Sequence, residues 1–351
     1  MEHQHRSEVT ISSRKDDHIR INLEEDVQFR SVTTGLEKLY FEHQALPELN
    51  LNDIDLSLEV LGKKMQSPIL ISSMTGGTDR ARDINRTLAA AAEQSGIAIG
   101  LGSMRVALEH PNTIESFQIR DVAPSALLFA NLGAVQLNYG LEVAHCRQVV
   151  EMASADALIL HFNPLQEAIQ PEGNSDFAGL LRKVELICTA LRDDGVPVVA
   201  KEVGWGFSES NCRQLAEAGI AAIDVAGAGG TSWSTVEMHR SPTASHARIA
   251  AAFEDWGIPT VQALRNAVSG APTLPIIASG GLRNGLDIAK CLSLGATLAG
   301  MAKPFLEAAA ASAEDVIEVV QELNQQLRIS LFCAGVSDIA SLQNTPLLRR
   351  E

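Results

Sequence analysis

Hydrophobic residues come in short runs along most of this chain, and a longer segment with helical spacing follows each run. From Ser67 onward the runs end on small or polar residues, and the helical segments are rich in alanine and leucine. This rhythm is typical of an α/β fold, the closed parallel (β/α)8 TIM barrel. A doubly wound open sheet is the alternative, but no G-x-G-x-x-G turn follows the first strand. The eight predicted strands are 69–73, 98–100, 127–130, 157–160, 198–201, 223–225, 276–279 and 296–300.

The two ends of the chain lack this alternation. We assign 1–66 to an N-terminal arm and lead-in that covers the barrel, 67–330 to the barrel and 331–351 to a C-terminal tail. The charged run at 14–18 has neither helical nor strand period, which by itself predicts a solvated tail. Alternating hydrophobicity around Gly62 predicts a hairpin-like lead-in at 50–66. A short helix is expected at 36–40 and a long amphipathic helix at 308–329.

Charge and composition narrow the classes of partner. The net charge is -15 over 351 residues, which argues against nucleic-acid binding because a phosphate backbone needs a basic face. Apolar runs are too short for a membrane-spanning helix, and the first 30 residues are polar, so neither membrane insertion nor a secretory signal is predicted. The five cysteines form no close pair or metal-ligand spacing, which predicts reduced thiols in a cytoplasmic protein.

Glycine-rich strand ends predict a phosphate site. In a parallel barrel the residues that follow the strands meet at one rim, where active sites lie. The seventh strand ends in Ser279-Gly280-Gly281 with Arg283 beyond it, and the eighth ends at Gly300. Loops without side chains at helix N-termini leave backbone N–H groups open to an anion. The phosphate would belong to flavin mononucleotide (FMN) or to a sugar phosphate.

Size favours the flavin. Polar residues follow four strands on the far side of the rim, so a ligand that touches both sides must be long and flat. The residues concerned are Ser73, Ser103, Asn131 and Lys201. Lys201 ends a buried strand, and from there it would stabilise negative charge on a reduced flavin. An ion pair between Lys201 and Glu202 or Asp224 is the alternative interpretation.

The segment His161-Phe162-Asn163-Pro164-Leu165-Gln166-Glu167 departs most from barrel scaffolding. It places an imidazole, two amides and a carboxylate after one strand. One carboxylate together with substrate phosphate oxygens and water is how Mg²⁺ is usually bound, which suggests Glu167 as its ligand. A structural histidine and a charge at a helix N-terminus are the alternative interpretations of His161 and Glu167.

Motifs throughout the chain carry a resemblance to a known family. The chain resembles the FMN-dependent type 2 isopentenyl-diphosphate isomerases from residue 14 to about residue 306. The motifs are RKDDHI (14–19), SSMTGG (72–77), GSMR (102–105), ANLG (130–133), HFNPLQE (161–167), AKEVGWG (200–206), AGAGGTSW (226–233), ASGGLRNG (278–285) and AGMA (299–302). The resemblance implies interconversion of isopentenyl diphosphate and dimethylallyl diphosphate with reduced FMN and Mg²⁺, where NADPH or NADH reduces the flavin.

The resemblance also implies a role for individual residues. FMN would be bound by Ser73, Met74, Thr75, Ser103, Asn131, Lys201, Thr231, Gly281, Leu282, Arg283, Ala299 and Gly300. The substrate would be bound by Arg14, Lys15, Arg105, His161, Asn163 and Gln166. Gln166 and His161 would be catalytic, Glu167 would bind Mg²⁺, and the arm would close over the substrate with His18 as a further contact. Phe162 stands where we expect an aliphatic residue, which should affect packing. A homo-oligomer, a tetramer or an octamer, is also expected.

Two other functions remain open at this point. FMN-dependent 2-hydroxy-acid oxidases share the barrel, the lysine and the phosphate loops. They need a histidine base, however, and residues 226–233 after the sixth strand contain none. A flavin-binding barrel without catalysis is the other alternative, although the arm and the Gln166-Glu167 pair argue against it.

Overall fold

A closed barrel of eight parallel strands forms the centre of the molecule. The computed structural model describes residues 15–349. The strands are β1 (Leu39–Phe41), β2 (Leu58–Val60), β3 (Lys63–Met65), β4 (Ile69–Ile71), β5 (Ala98–Gly100), β6 (Leu128–Gly133), β7 (Ala157–Phe162), β8 (Val198–Glu202), β9 (Ala222–Asp224), β10 (Ile276–Ser279), β11 (Leu298–Met301) and β12 (Leu347–Arg349). The barrel consists of β4 to β11 in chain order, and β11 pairs with β4 to close it. The predicted (β/α)8 fold is thereby confirmed.

Helices follow the barrel strands. They are α1 (15–24), α2 (Asp79–Ser95), α3 (Arg105–Glu109), α4 (Val143–Ala153), α5 (Pro164–Ile169), α6 (Leu180–Asp193), α7 (Glu209–Glu217), α8 (Trp233–Arg240), α9 (Ala244–Ala251), α10 (Thr260–Gly270), α11 (Gly285–Ser293), α12 (Lys303–Ala309), α13 (Ala313–Ala334) and α14 (Ile339–Gln343). Short 3₁₀ helices lie at Leu36–Lys38, Leu51–Asp53, Pro111–Phe117 and Ala134–Tyr139. In the part of the chain described, no helix is both long and apolar enough to cross a membrane.

The barrel strands are apolar on both faces because each face is covered. Phe129, Ile159 and Val199 pack together inside the barrel, while their chain neighbours pack against the surrounding helices. This two-sided burial explains why the strands are continuous apolar runs without alternation. It also explains small errors in the predicted bounds, since a fully buried run carries no signal for its last residue. The third predicted strand, 127–130, extends to Gly133.

The predicted lead-in hairpin closes the N-terminal end of the barrel. Strands β2 and β3 pair antiparallel across a turn in which Leu61 and Gly62 both have positive φ angles, 49° and 77°. Turns of this kind match the twist of a two-stranded hairpin. Val60 and Met65 pack into the interior cluster of the barrel. The hairpin therefore covers the end opposite to the expected active site.

The charged run at the start of the N-terminal arm lies in a helix where it is described, which corrects the prediction of a solvated tail. Helix α1 spans 15–24, and both Ile19 and Ile21 are buried in it. Ile19 joins the main core, whereas Ile21 packs with Val27 and Val236 in a separate cluster. Two apolar residues two positions apart lie on different sides of a helix. The sequence therefore shows no one-sided helical stripe here, although the helix is covered on both sides.

The C-terminal segment is ordered and returns to the N-terminal part of the chain. Helix α13 runs from Ala313 to Ala334, displaced from the predicted 308–329. It begins after Ser312, whose side chain accepts a hydrogen bond from the N–H of Asp315, and it ends at Gly335 in the left-handed conformation. These are standard signals for helix ends. Strand β12 then pairs with β1, and β1 replaces the second half of the predicted helix at 36–40.

Candidate functional site

A cavity of about 480 Å³ opens where the carboxyl ends of the barrel strands meet. Arg14 lies outside the described residues, and Ala299 is buried in β11 with its side chain in the core around the barrel. Every other predicted site residue lines this cavity, and so does His18. They are Lys15, Ser73, Met74, Thr75, Ser103, Arg105, Asn131, His161, Asn163, Gln166, Glu167, Lys201, Thr231, Gly281, Leu282, Arg283 and Gly300.

The glycine loops after β10 and β11 leave backbone exposed to the cavity. Gly280 and Gly281 have φ angles of 103° and 73°, a conformation that glycine adopts without strain. A Cβ atom on Gly281 would collide with the backbone of Gly229, and one on Gly300 would lie 2.6 Å from Oγ of Ser72. A larger residue at either position would therefore displace the neighbouring segments that shape this end of the cavity.

Arg283 supplies positive charge at this end of the cavity. Its side chain is 66% exposed, and its Nε lies 3.3 Å from Oδ2 of Asp287 in helix α11. The carboxylate of Asp287 also accepts the backbone N–H of Arg283, so it holds the loop and the guanidinium together. The remaining guanidinium nitrogens are well placed to bind an anion.

Three hydroxyl groups after the first barrel strand are buried without a hydrogen-bond partner among the described residues. They belong to Ser72, Ser73 and Thr75. Buried polar atoms are nearly always paired, so three unpaired hydroxyls close together on a cavity wall indicate a site for a polar ligand. Together with the bare glycine loops and Arg283, these groups fit FMN, which combines a phosphate, a ribityl chain of hydroxyls and a polar ring.

For Lys201, the structure shows the ion pair with Asp224 that was the alternative interpretation. Its Nζ lies 2.9 Å from Oδ2 of Asp224, so the ion pair exists, and the side chain also lines the cavity. The other carboxylate oxygen of Asp224 accepts a hydrogen bond from Oγ of Ser279 at 2.5 Å. Lys201, Asp224 and Ser279 come from the adjacent strands β8, β9 and β10. Strand register therefore brings the lysine and the aspartate side by side.

Glu202, next to Lys201, shapes the following loop. Its Oε2 accepts the backbone N–H groups of all four residues from 203 to 206. Burial raises the pKa of Glu202 to about 7, although these four donors oppose the rise. Val203 and Gly204 line the cavity, so this buried carboxyl group fixes part of the cavity wall.

His161 is a neutral imidazole. Its Nδ1 lies 2.7 Å from Oδ1 of Asn131. Because the amide oxygen accepts, Nδ1 carries the proton and Nε2 keeps a free lone pair. Burial, followed by the positive charges of Lys201 and Arg105, lowers the pKa of His161 to about 4. A neutral ring at pH 7 can accept a hydrogen bond or a proton from a ligand.

The side chains of Asn163, Gln166 and Glu167 form one network at the start of α5. Nδ2 of Asn163 donates to Oε1 of Gln166 and to Oε1 of Glu167, both at 3.1 Å. Glu167 also accepts the N–H of Asn174 at 2.5 Å through its other oxygen. Oδ1 of Asn163 is buried and has no partner in the described chain, so it is open to a ligand.

Glu237 in helix α8 contacts several residues of the candidate site, and the sequence did not predict it. Its Oε1 accepts from Gln166 at 3.1 Å and from Gln170 at 2.7 Å, and it lies 3.1 Å from Nε2 of His18. Arg240 donates to its Oε2 at 2.6 Å. Burial by itself would raise the pKa of Glu237, but the hydrogen bond and charge of His18, with Arg240 and Gln166, lower it to about 2.

A buried carboxylate therefore joins the arm to Gln166. The sequence holds no signal for this arrangement because His18 and Glu237 lie 219 positions apart. The ring of His18 also packs edge-on against Trp233, with 5.2 Å between the ring centroids.

Arg105 is surrounded by amide side chains that the sequence did not predict as part of the site. Its Nη1 donates to Oε1 of Gln136 and to Oδ1 of Asn174, both at 3.2 Å. Both amides line the cavity, and they lie well after the ends of β6 and β7. Lys15 reaches the same region, where its Nζ donates to the carbonyl oxygen of Ser103 at 3.3 Å.

Phe162 packs edge-on against Phe207 at 5.7 Å between ring centroids, so the unexpected ring meets a second aromatic side chain.

Within residues 15–349 no three His, Cys, Asp or Glu side chains form a ready-made metal site. Glu167 would therefore need oxygen atoms of a substrate and water to complete a Mg²⁺ site.

Known proteins resemble this chain over nearly its whole length. A family model described as FMN-dependent dehydrogenase matches residues 8–117 and 181–349. An isopentenyl-diphosphate delta-isomerase of a Nostoc species is 51% identical over 338 residues, which cover 96% of each chain. The protein of the same name from Rickettsia bellii is 47% identical over 334 residues and covers 95% of this chain and 96% of the relative.

Solved structures share the fold at lower identity. Mandelate oxidase with (S)-2-phenylpropionate has a TM-score of 0.65 at 17% identity and covers 95% of this chain and 90% of that one. A mandelate oxidase variant with an FMN adduct has a TM-score of 0.63 at 16% identity and covers 90% of each chain. These solved structures show the fold alone, whereas the relatives at 51% and 47% identity show the family. The chain belongs to the isopentenyl-diphosphate delta-isomerases, a family of enzymes within the wider group of FMN-dependent dehydrogenases.

Proposed function

We propose that this protein interconverts isopentenyl diphosphate and dimethylallyl diphosphate by a 1,3-allylic proton shift, with reduced FMN and Mg²⁺. The observation that carries the proposal is one cavity with two ends suited to anions. The glycine loops and Arg283 follow β10 and β11. Arg105 follows β5 and His161 is the second-last residue of β7, and these two strands lie three positions away on either side of β10. One end suits the cofactor phosphate and the other suits a substrate diphosphate.

The diphosphate end combines cations with neutral donors. Lys15 and Arg105 supply positive charge, and Arg14 would join them from the adjoining residue of the arm. Glu167 would bind Mg²⁺ together with diphosphate oxygens and water, because a single carboxylate is a common protein contribution to such a site. The neutral ring of His161 and the open Oδ1 of Asn163 add hydrogen-bonding capacity without further charge.

Gln166 lies where the hydrocarbon part of the substrate would extend. An allylic shift adds a proton to one carbon and removes another from its neighbour, so donor and acceptor must lie close and water must be excluded. When bound, reduced FMN supplies acid–base function at N5 and an electron-rich ring that stabilises positive charge on carbon. Gln166 assists proton movement, His161 orients the substrate, and Ile19 of the arm excludes water.

The proposal also covers the reductant of the flavin, the location of the protein and its oligomeric state. NADPH or NADH would reduce the flavin, and the protein would act in the cytoplasm as a homo-oligomer, a tetramer or an octamer, with no nucleic-acid partner. Among the alternatives, a 2-hydroxy-acid oxidase lacks support because the segment 226–233 contains no histidine. A non-catalytic flavin barrel would not need the network that joins Gln166, Glu237 and the arm.

The test is anaerobic incubation of the NADPH-reduced protein with isopentenyl diphosphate and Mg²⁺ in D₂O. We expect dimethylallyl diphosphate that carries deuterium, because the proton added to the double bond exchanges with solvent. Omission of Mg²⁺ and of the reductant should each abolish the product. A lack of product under the complete conditions would refute the proposal, and a colourless, FMN-free protein would refute every flavin-based function.

A further inference from the structure

A buried ion pair lies at the cofactor side of the cavity wall. Lys201 and Ser279 line the cavity, whereas Asp224, which contacts both, is fully buried behind them. The carboxylate is 2.9 Å from Nζ of Lys201 through one oxygen and accepts from Ser279 at 2.5 Å through the other. In the described part of the chain, Lys201 is its single cationic partner.

Burial of such an ion pair in the centre of a barrel costs free energy, because both charges lose their contact with water. Removal of a carboxylate from water costs several kcal/mol, and a well-packed apolar pair often serves stability better. A role in placing charge is therefore more plausible for Asp224 than a role in folding. The charge of Lys201 acts across this wall, since it lowers the pKa of His161, its register partner in β7.

We propose that Asp224 is a positioning residue, which holds the Lys201 ammonium against the flavin ring and attenuates its charge. Reduction adds negative charge to the flavin ring, and a nearby cation stabilises the reduced form. Asp224 would thereby set how strongly the site prefers reduced FMN over oxidised FMN. The inference rests on the proposed FMN site, and it does not depend on the isomerase reaction.

The first test is Asp224→Asn, which keeps the shape and removes the negative charge. We expect the midpoint potential of bound FMN to rise, with a three- to tenfold gain in the preference for reduced FMN. A tenfold gain corresponds to about 30 mV for a two-electron couple. The measurement is a spectroscopic redox titration against a reference dye, with FMN content and thermal unfolding recorded alongside. An unchanged or lowered potential would overturn the proposal.

Asp287→Asn is the matched control. Asp287 is also a buried carboxylate paired with a cofactor-side cation, Arg283. That cation faces the proposed phosphate site, whose charge does not change on reduction, so the potential should stay within the error of the wild-type value. An equal shift in both variants would indicate a general effect of net charge and would contradict a specific role for Asp224.

A double-mutant cycle with Lys201→Met separates direct from indirect action. If Asp224 acts mainly through Lys201, Asp224→Asn should shift the potential less in the Lys201→Met background than in the wild-type background, and a shift of equal size in both would overturn the proposal. The cycle also has a readout that needs no FMN. Lys201→Met leaves a buried carboxylate unpaired, so its melting temperature should fall, and the double variant should recover part of the loss. Absence of recovery would contradict the coupling.

Failure of the inference can be told apart from failure of the proposed function. A protein that shows the coupled shift in potential but forms no dimethylallyl diphosphate would keep the inference and lose the isomerase assignment. A protein that isomerises its substrate but shows no shift would do the reverse.

Discussion

Gln166 has a fixed amide orientation because both ends of the group are hydrogen-bonded. Its Oε1 accepts from Asn163, and its Nε2 donates to Glu237, at 3.1 Å in each case. A carboxylate can only accept, so the N–H₂ end must face Glu237. The amide is therefore held in one orientation without a substrate, as its proposed role in proton transfer requires.

Gln166→Asn should lower turnover by about a hundredfold, because the shorter side chain loses its position and general acid–base catalysis contributes at least that much. FMN content should not change, since Gln166 lies away from the phosphate loops. The measurement is kcat under anaerobic conditions together with the flavin absorbance of the purified variant.

Gln170→Asn is the control for that variant. Gln170 undergoes the same shortening and donates to the same oxygen of Glu237, at 2.7 Å. Its turnover should fall much less. Equal losses would mean that Glu237 geometry is the source of the effect, and full activity of Gln166→Asn would end the assignment of Gln166.

At the scale of elements, the N-terminal arm is hydrogen-bonded to the loop that follows β9, the sixth strand of the barrel. Gln28 forms a β-bridge with Thr231, and the N–H of Phe29 donates to the carbonyl oxygen of Gly230 at 3.1 Å. Beyond the bridge, Asp255 accepts the backbone N–H groups of residues 30, 31 and 32. The arm and the cofactor side of the cavity therefore share one hydrogen-bonded wall.

Asp255→Ala should loosen this connection. Removal of a charged acceptor for three backbone N–H groups should increase amide hydrogen exchange of residues 30–32 on the order of tenfold. It should also raise the KM for the proposed diphosphate substrate more than it lowers kcat, because the proposed role of the arm is to close over that substrate. The measurements are hydrogen exchange by mass spectrometry and steady-state kinetics.

Glu254→Ala provides the comparison for Asp255→Ala. Glu254 pairs with Arg30 at 3.1 Å, but the arginine side chain is 70% exposed. Exposed ion pairs contribute little, so exchange in the arm should hardly change. If the two variants behave alike, the backbone contacts of Asp255 do not hold the arm.

At the scale of the whole molecule, stability should depend on pH through a few buried groups. His161 has a folded-state pKa of about 4, below the usual 6.5. Below pH 6.5 the unfolded chain takes up this proton before the folded chain does, so stability is lost as the pH falls from 6.5 towards 4. Glu237, with a pKa of about 2, adds a loss between pH 4.5 and 2. Glu202 acts in the opposite direction, since its pKa is raised to about 7 and its contribution is lost as the pH rises from 4.5 through 7.

His161→Gln should isolate the first of these contributions. Between pH 7 and pH 5 the free energy of unfolding of the wild-type protein should decrease by about 1 to 2 kcal/mol more than that of the variant. The measurement is urea unfolding of both proteins at the two pH values. Parallel pH profiles would show that the ring is not kept neutral by the fold.

The fold could be predicted from local features. A fully buried parallel strand needs apolar residues on both faces. A run such as Ile276–Ser279 can therefore be recognised as a strand from its own sequence, without knowledge of the neighbouring strands. The glycine loops and the segment around Gln166 could also be recognised, because each lies within a few residues of one strand end. Helix α1 could not, because Ile19 and Ile21 are buried on different sides by surfaces that the sequence does not reveal.

The sequence by itself therefore determined the barrel and its rim, because these depend on periodicity and on the order of the strands, whereas the family resemblance pointed to many of the residues that line the cavity. Tertiary structure alone decided how those residues are held. Asp224 reaches Lys201 through strand register, and Glu237 reaches His18 across 219 positions. Burial also sets the pKa of His161, and it arises only when the barrel closes around the ring. Contacts between distant residues depend on the packed chain as a whole, so no local pattern can specify them.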